Sequence, residues 1–248
     1  MSTERIYEAV IRASAGRLVR GGQGLRHLDI GAGQGELIER LRSRYACDSH
    51  ACDFHVERFP LSDVPIASVD LNTEPLPYAE GAFDLVTCSE VLEHLENFRG
   101  VLREAYRVLK PGGLLVVTTP NVVNAYSRAR YLVSGFATLF GPLPTKHDER
   151  HTTGAHITPI AYFYLAHALT DAGFADIRLG IDKIQRTSVL LLALFFPIVL
   201  LGWLRFLQVE RRKYRTITPD NEAFVKQHFS REGLLGRTIV VSACKPAG

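Results

Sequence analysis

The glycine-rich segment LDIGAGQGEL (28–37) is the first stretch whose residue types and spacing can do chemistry. Gly31, Gly33 and Gly35 lie between an apolar run that predicts a strand and a pattern that predicts a helix. Residues without a Cβ at such a turn let backbone N–H groups approach a ligand at the helix N-terminus. The spacing is GxGxG and differs from the GxGxxG of dinucleotide-binding loops, because Glu36 stands at the third glycine position. A tight turn with a purely structural role is the alternative.

Two acidic residues follow the next predicted strands. Asp53 comes 20 residues after Gly33, where a carboxylate can accept hydrogen bonds from a ribose diol. Asp70 closes the third predicted strand beside the apolar Leu71, a pairing that suits an adenine ring and its amino group. Either acid alone could be a strand-end cap. Three successive strand ends that offer glycine, acid and acid favour an adenosine-binding edge.

The segment SEVLEHL (89–95) begins where the fourth predicted strand ends. If the segment is helical, Glu90, Glu93 and His94 stand at i, i+3 and i+4 and share one helix face. Two carboxylates and an imidazole suit Mg²⁺ or a similar divalent ion. The alternative is that Glu90 lines a ligand pocket while His94 packs or acts as a base.

Alternating elements position these residues. The helical patterns GELIERLRSRY, VLREAYRVL and IAYFYLAHALTDAG separate short apolar runs, which is typical of a mostly parallel sheet covered by helices. The order predicts an α/β fold with a doubly wound, Rossmann-like sheet. The seven predicted strands cover residues 26–31, 50–54, 66–71, 83–88, 113–119, 175–181 and 237–244.

The chain resembles the class I S-adenosylmethionine-dependent methyltransferases over about residues 25–182 and again at 237–246. The segments that carry the resemblance are LDIGAGQGEL, Asp53, VDLNTEPLPYAEGAFDLVTCSEVLEHLENF, VLREAYRVLKPGGLLVVTTPN and HITPIAYFYLAHALTDAGF. The likeness implies one domain over 1–248 with a seven-stranded, mostly parallel sheet and an antiparallel last strand. It also implies that S-adenosyl-L-methionine contacts Asp29, Gly31, Ala32, Gly33, Gly35, Asp53, Asp70, Leu71, Ser89 and Glu90.

A closer likeness concerns the candidate metal site. SEVLEHL looks like the corresponding segment of metal-dependent ubiquinone-biosynthesis O-methyltransferases, in which a further downstream histidine completes the site. His156 is the best match for that ligand and His151 the second, in a histidine-rich stretch that also contains His147. The metal set implied is Glu90, Glu93, His94 and His156, with Glu93, His94 and His156 as candidate catalytic residues. The stretch belongs to an insertion at 120–160, where this family builds its substrate pocket.

Composition excludes several other classes. The 29 Lys and Arg residues nearly balance the 26 Asp and Glu residues, so a nucleic-acid partner is not expected. Four cysteines without a CxxC pair predict reduced thiols and a cytoplasmic location. Residues 1–24 carry charges throughout, which predicts an amphipathic helix and no signal peptide.

An insertion at 185–232, between the last two predicted strands, is strongly apolar. Thr187 to Leu204 contains no charged residue, and as a helix it would reach about 27 Å, close to a bilayer's hydrocarbon core. Pro197 in its middle would kink a helix, so a re-entrant hairpin of two short arms is one arrangement, beside an interfacial helix and a buried helix. A single crossing is excluded if the last strand rejoins the sheet. Trp203 and the basic residues up to Arg215 favour contact of 188–215 with a membrane surface, and burial against the domain or in a homodimer is the alternative.

These observations predict a methyltransferase on the cytoplasmic face of a membrane, peripherally bound. The expected acceptor is a hydroxyl of a lipid-linked sugar or a prenylated quinol, methylated on oxygen. Rival functions are methylation of a soluble small molecule with the apolar segment as a dimer contact, a nucleotide-binding oxidoreductase, and a non-catalytic protein that retains the cofactor pocket.

Overall fold

The computed structural model of the chain describes residues 4–20, 24–145 and 154–248. Seven strands form a single sheet in the order β3-β2-β1-β4-β5-β7-β6. All seven predicted strands are present, and their ends move by a few residues. The strands are β1 (Leu25–Ile30), β2 (Cys47–Asp53), β3 (Ile66–Ser68), β4 (Phe83–Ser89), β5 (Leu109–Pro120), β6 (Ala175–Ile181) and β7 (Thr238–Cys244).

The strand directions confirm the predicted topology. β3, β2, β1, β4 and β5 pair in parallel, whereas β7 pairs antiparallel with both β5 and β6. β7 enters between them in the register Thr118↔Val240 and Leu179↔Val241. The carboxyl ends of the parallel strands therefore lie at one edge of the sheet, which is where doubly wound sheets bind ligands.

Helices cover both faces of the sheet, as the alternating pattern predicts. Ile6, Val10 and Ile11 of the first helix pack into one apolar cluster with Leu85 and Val116 of the central strands. The helices are α1 (Glu4–Arg20), α2 (Glu36–Arg42), α3 (Phe98–Val108), α4 (Ala125–Ser134), α5 (Tyr162–Asp171), α6 (Arg186–Val209), α7 (Glu222–Gln227) and α8 (Arg231–Leu235).

The apolar insertion is one continuous helix, so the hairpin arrangement is wrong. α6 runs through Pro197 and continues in a π-helical turn to Tyr214, giving 29 residues that are long and apolar enough to cross a membrane by length and composition. Pro197 has no N–H group to donate to the carbonyl of Ala193. Because Ala193 and Pro197 are both exposed, that carbonyl stays accessible to solvent and the helix continues through Pro197. The rings of Phe196 and Trp203 pack on Phe229, which holds α6 along the domain.

A buried polar cluster joins the start of α4 to the start of α6. The Asn124 amide donates to Gln185 Oε1 at 3.0 Å and to the carbonyl of Gly236 at 2.9 Å. Its oxygen caps α4 at the amide of Ser127 and also accepts from the Ser188 hydroxyl. The two helices are thus fixed to each other and to the end of the sheet at this point.

Candidate active site

A cavity of about 430 Å³ opens at the carboxyl edge of β1 to β4. Its volume lies within the range of small-molecule and cofactor sites. Six residues singled out from the sequence line it, namely Gly31, Asp53, Asp70, Leu71, Glu90 and His94. Seven others lie outside that lining, namely Asp29, Ala32, Gly33, Gly35, Ser89, Glu93 and His156.

The glycine loop leaves β1 in a conformation that requires glycine. Gly31 has φ +71°, and a Cβ there would lie 2.3 Å from a methyl group of Val91. The amide of Gly31 donates to the carbonyl of Cys52 at 2.8 Å, which ties the loop to the end of β2. Gly33 has φ +55° and open space above its Cα, so a ligand can approach the backbone closely there.

Asp53 lies at the end of β2, and the backbone fixes the orientation of its carboxylate. One oxygen accepts from the amide of Gly33 at 2.8 Å and the other from the amide of His55 at 2.9 Å. A carboxylate has about four lone-pair sites, so each oxygen retains capacity for a ligand hydroxyl. The structure thus connects the glycine loop and the predicted ribose-binding acid directly.

Asp70 follows the short strand β3 and is held by its own turn. Its oxygens accept from the amide of Asn72 and the hydroxyl of Thr73, both at 3.0 Å. The neighbouring Leu71 packs partly against the main core and lines the cavity. An acidic and an apolar residue therefore face the cavity side by side.

Several cavity residues were missed by the sequence analysis. Phe54 directly follows Asp53 and is 50% exposed, which is unusual for a large aromatic side chain at a strand end. Asn72, His55 and Ile157 also line the cavity. The adjacency of Phe54 to a predicted ligand-binding acid was the signal available for it, because an aromatic ring beside such an acid can stack on a base.

Asp29 lies beneath the loop and not at the cavity surface. It is 3% exposed and accepts from the Thr87 hydroxyl at 2.7 Å, while Thr87 Oγ1 is 2.8 Å from Nε2 of the buried His27. Burial raises the pKa of Asp29 to about 7, and the Thr87 hydrogen bond offsets this only in part. Burial lowers the pKa of His27 to about 3. A chain of three buried polar side chains thus supports the glycine loop.

The segment after β4 is not the predicted α-helix. Glu90 adopts φ +55°, and only Leu92–His94 form a short 3₁₀ turn. Glu90 therefore leaves the shared face and turns toward β5, where its carboxylate accepts from the Thr118 hydroxyl at 3.0 Å. Burial raises the pKa of Glu90 to about 7. The expected i, i+3, i+4 arrangement of donors is wrong in this respect.

Glu93, His94 and His156 do come together. Their potential ligand atoms lie within 4.8 Å of one another, and the two imidazole rings meet edge to face at 4.7 Å. Glu93 is fully buried, and neither carboxylate oxygen has a hydrogen bond within the described part of the chain. Burial, and secondarily the charge of Glu90, raises the pKa of Glu93 well above its usual range. A buried unsatisfied carboxylate beside two imidazoles is a candidate cation site.

Backbone hydrogen bonds bring His156 to this cluster. The amides of Ile157 and Thr158 both donate to the carbonyl of Glu93, at 2.9 and 3.0 Å. His94 Nδ1 donates to the carbonyl of Ala155 at 2.9 Å, which leaves Nε2 of His94 without a proton when the ring is neutral. Burial lowers the pKa of both histidines, that of His156 to about 4. His147 and His151 lie outside the described residues.

Comparison with known proteins agrees with this geometry. Residues 28–117 match the family model described as a methyltransferase domain. The demethylmenaquinone methyltransferase of Listeria welshimeri is 33% identical over 116 residues, which cover 43% of this chain and 48% of that protein. The matched region thus spans about half the length of that curated relative.

Solved structures share the fold over nearly the whole chain. A SAM-dependent methyltransferase from Archaeoglobus fulgidus superposes with a TM-score of 0.59 at 17% identity, covering 98% of this chain and 95% of that one. The cyclase SpnF superposes with a TM-score of 0.55 at 22% identity, covering 98% and 82%. The same fold therefore also occurs in a protein named for another reaction. Together, the family match and the fold confirm the resemblance to the class I S-adenosylmethionine-dependent methyltransferases that the sequence predicts.

Proposed function

We propose that this protein is an S-adenosylmethionine-dependent methyltransferase whose cofactor binds in the cavity at the carboxyl edge of the sheet. The observation that carries the proposal is the direct link between the glycine loop and Asp53, with Asp70 and Leu71 on the next strand end. When bound, the cofactor supplies an electrophilic methyl group on a sulfonium. The protein then has to position the acceptor and accept its proton.

Each cavity residue has a role in this proposal. Asp53 accepts hydrogen bonds from the ribose hydroxyls, and Asp70 with Leu71 holds the adenine ring, against which Phe54 can stack. The glycine loop, which has open space above Gly33, leaves room for the amino-acid end of the cofactor. The cavity favours this ligand over a dinucleotide because Glu36 begins α2 where the fingerprint of dinucleotide-binding loops has its third glycine.

His94 is the proposed proton acceptor. It lines the cavity, and its Nδ1 proton is committed to the Ala155 carbonyl, so Nε2 is free to take a proton. Its lowered pKa keeps the ring neutral at physiological pH. The His156 ring packs edge to face against the His94 ring, and the Glu93 carboxylate lies within 4.8 Å of both imidazoles.

A divalent metal ion is the second candidate role for the same three residues, with a change from the sequence prediction: Nε2 of His94 would then bind the ion and would not accept a proton. Two imidazoles and one carboxylate form a nitrogen-rich donor set, whereas Mg²⁺ prefers oxygen ligands. We therefore assign Glu93, His94 and His156 to a transition-metal ion such as Mn²⁺ or Zn²⁺, with Glu90 outside the ligand set. Such an ion, when bound, lowers the pKa of an acceptor hydroxyl.

Metal binding is testable without turnover. Thermal unfolding with Mn²⁺, Zn²⁺ or Mg²⁺ at about 100 times the dissociation constant should show stabilisation of about 3 kcal/mol for a bound ion. We expect stabilisation by Mn²⁺ or Zn²⁺ that Glu93→Ala abolishes, and none by Mg²⁺. Equal unfolding curves with each ion and with a chelator would remove the metal from the proposal.

The proposed acceptor carries a lipid tail and is methylated on a hydroxyl at the membrane surface. Leu190, Leu194, Ile198 and Leu201 form one outward face of α6, each 67–69% exposed. Helical spacing of four exposed large apolar residues is typical of an interfacial helix. The exposed cations Arg212, Lys213 and Arg215 follow at its end. The curated relatives named demethylmenaquinone methyltransferase favour the prenylated quinol among the candidate acceptors, beside a lipid-linked sugar.

Incubation with methyl-labelled S-adenosylmethionine and fractionated membrane lipids tests this function. We expect label in a lipid fraction, with transfer reduced by a chelator. Label only in water-soluble metabolites would instead support the soluble-acceptor alternative, in which α6 forms a dimer contact. Cofactor binding without label in any fraction would support the non-catalytic alternative.

A further inference from the structure

A second cavity lies between α4 and α6, away from the cofactor cavity. Its volume is about 540 Å³, and its walls are almost entirely apolar. We call it the α4–α6 groove. Its walls include Ala125, Ala129 and Leu132 of α4 and Leu192, Phe195 and Val199 of α6.

The groove is a built feature of the fold. The buried cluster of Asn124, Gln185 and Ser188 fixes the first turns of the two helices to each other. On another side of α6, Phe196 and Trp203 pack on Phe229 and hold this helix against the domain. The groove therefore stays open without a partner, while Leu132 at its mouth is 86% exposed.

One charged residue lines this apolar groove. The Arg128 guanidinium donates to the carbonyls of Val123 and His228, at 2.6 and 3.2 Å. Within the described residues it forms no ion pair with a carboxylate, and burial lowers its pKa. Carbonyl oxygens satisfy its hydrogen bonds but do not neutralise its charge, so an anion near the groove would complement it.

An apolar channel with an uncompensated cation matches one ligand chemistry. We propose that the α4–α6 groove binds the hydrocarbon chain of an anionic lipid, whose negative headgroup lies beside Arg128. The lipid reaches the groove from the membrane, because Leu132 at the mouth and the outward face of α6 are exposed on the same two-helix unit.

The lipid in the groove can be the methyl acceptor, and this step rests on the proposed function. The charge of Arg128 then distinguishes between the candidate acceptors. A neutral prenylated quinol would leave Arg128 without a counter-charge, whereas a lipid-linked sugar joined through phosphate would supply one. An acceptor that occupies the groove is therefore an anionic lipid.

The test uses cis-parinaric acid, a fluorescent fatty acid with an apolar chain and a carboxylate, and the full-length protein without detergent. We expect saturable binding to the wild type. Ala129→Phe fills the groove and should weaken binding at least tenfold. The control Leu190→Ser changes an exposed residue outside the groove and should leave the affinity unchanged. Val199→Phe narrows the groove from α6 if Ala129→Phe does not fold.

Competition between ligands tests whether the charge of Arg128 contributes to binding. Oleate should displace the probe at a concentration at least tenfold lower than oleyl alcohol does, because only oleate complements Arg128. Absence of saturable binding, wild-type affinity in both folded groove-filling variants, or equal displacement by the acid and the alcohol would each overturn the proposal. Asp53→Ala should bind the probe normally while losing cofactor affinity, so failure of the groove and failure of the proposed function give different results.

Discussion

The carboxyl edge of the sheet and the α4–α6 face depart from ordinary folding rules in opposite ways. At the edge, polar groups that are more stable in water are buried, as with Glu93, which is 0% exposed and lacks a hydrogen bond to its carboxylate within the described residues. Along α4 and α6, apolar groups that are more stable when buried are exposed, as with Leu132 and Ile198. A protein retains such local conflicts mainly at functional sites.

The difference between the two regions indicates what each one binds. Buried carboxylates and imidazoles with shifted pKa values are prepared for charge, a proton or a metal. An exposed apolar surface with flanking cations is prepared for hydrocarbon and anionic headgroups. In the proposed function, the first region performs the chemistry and the second brings the acceptor to it.

The largest expected effect concerns the buried carboxylate. Glu93→Ala should reduce methyl transfer by about 10²-fold or more, because it removes the buried carboxylate beside the proton acceptor His94 or, when an ion occupies the site, one of the ion's ligands. Affinity for S-adenosylhomocysteine should stay within about twofold, since Glu93 does not line the cofactor cavity. Turnover with labelled cofactor and calorimetry separate the two quantities. Glu80→Ala, at a residue remote from the cavity, is the matched control, and equal rates for the two variants would contradict the assignment.

The next effect concerns the outward face of α6. Leu194→Ser/Leu201→Ser should weaken binding to anionic vesicles about 100-fold or more, because each leucine contributes about 1.5–3 kcal/mol when fully buried. Cosedimentation with vesicles of phosphatidylglycerol and phosphatidylcholine measures it. Cofactor affinity should not change. Vesicle binding equal to that of the wild type would assign the exposed face to another partner, such as a second copy of the chain.

A stability measurement probes the buried polar support of the glycine loop. The pKa of His27 falls from 6.5 to about 3 on folding, so the unfolded chain binds a proton that the folded chain does not, and stability is lost as pH falls below 6.5. Between pH 7.5 and 5 this loss amounts to about 2 kcal/mol. His27→Gln removes this loss of stability. As pH falls from 7.5 to 5, the free energy of unfolding of the variant, measured in urea, should therefore rise by about 2 kcal/mol relative to that of the wild type. A pH-independent difference would contradict a buried neutral His27.

Asp29 acts in the opposite direction over an overlapping range. Its pKa rises to about 7 on folding, so its contribution to stability is present at low pH and is lost as pH rises from about 4 to 7. In the wild type the two residues partly cancel. Asp29→Asn removes the Asp29 contribution, so on acidification from pH 7.5 to 5 the free energy of unfolding of this variant should fall by about 2 kcal/mol relative to the wild type.

The smallest expected effect concerns the cations that follow α6. Arg212→Gln/Lys213→Gln should weaken binding to anionic vesicles by about 2 kcal/mol, near 1 kcal/mol for each charge, and leave binding to neutral vesicles unchanged. Raising the salt concentration should abolish the difference. Arg211→Gln is the comparison, because Arg211 already pairs with Glu222 at 2.7 Å. An equal loss on neutral vesicles would show that these residues act through structure.

Much of the sheet and its ligand edge is predictable because the signals are local. Apolar runs between turn residues define all seven strands, and the order of glycine, Asp53 and Asp70 places them at one edge. Glu90 lies apart from Glu93, His94 and His156 because it adopts a positive φ, which no periodicity reveals, and because the Thr118 hydroxyl of another strand donates to its carboxylate.

The helical insertion was misread for a different reason. Pro197 predicts a break, yet its exposed position in α6 lets the helix continue. The α4–α6 groove and the uncompensated Arg128 depend on how two distant segments pack, so sequence spacing alone could not reveal them. Trp203, expected at a membrane boundary, has its ring stacked against Phe229.

The central claim is that the cavity beside Asp53 binds the cofactor, and calorimetric titration with S-adenosylhomocysteine tests it most directly. The account predicts saturable one-to-one binding to the wild type and a loss of about tenfold or more in Asp53→Ala, as expected for hydrogen bonds to a charged group. Asp48→Ala, at the other end of β2, should bind like the wild type. Absence of binding to the wild type, or equal affinity in all three proteins, would contradict the account.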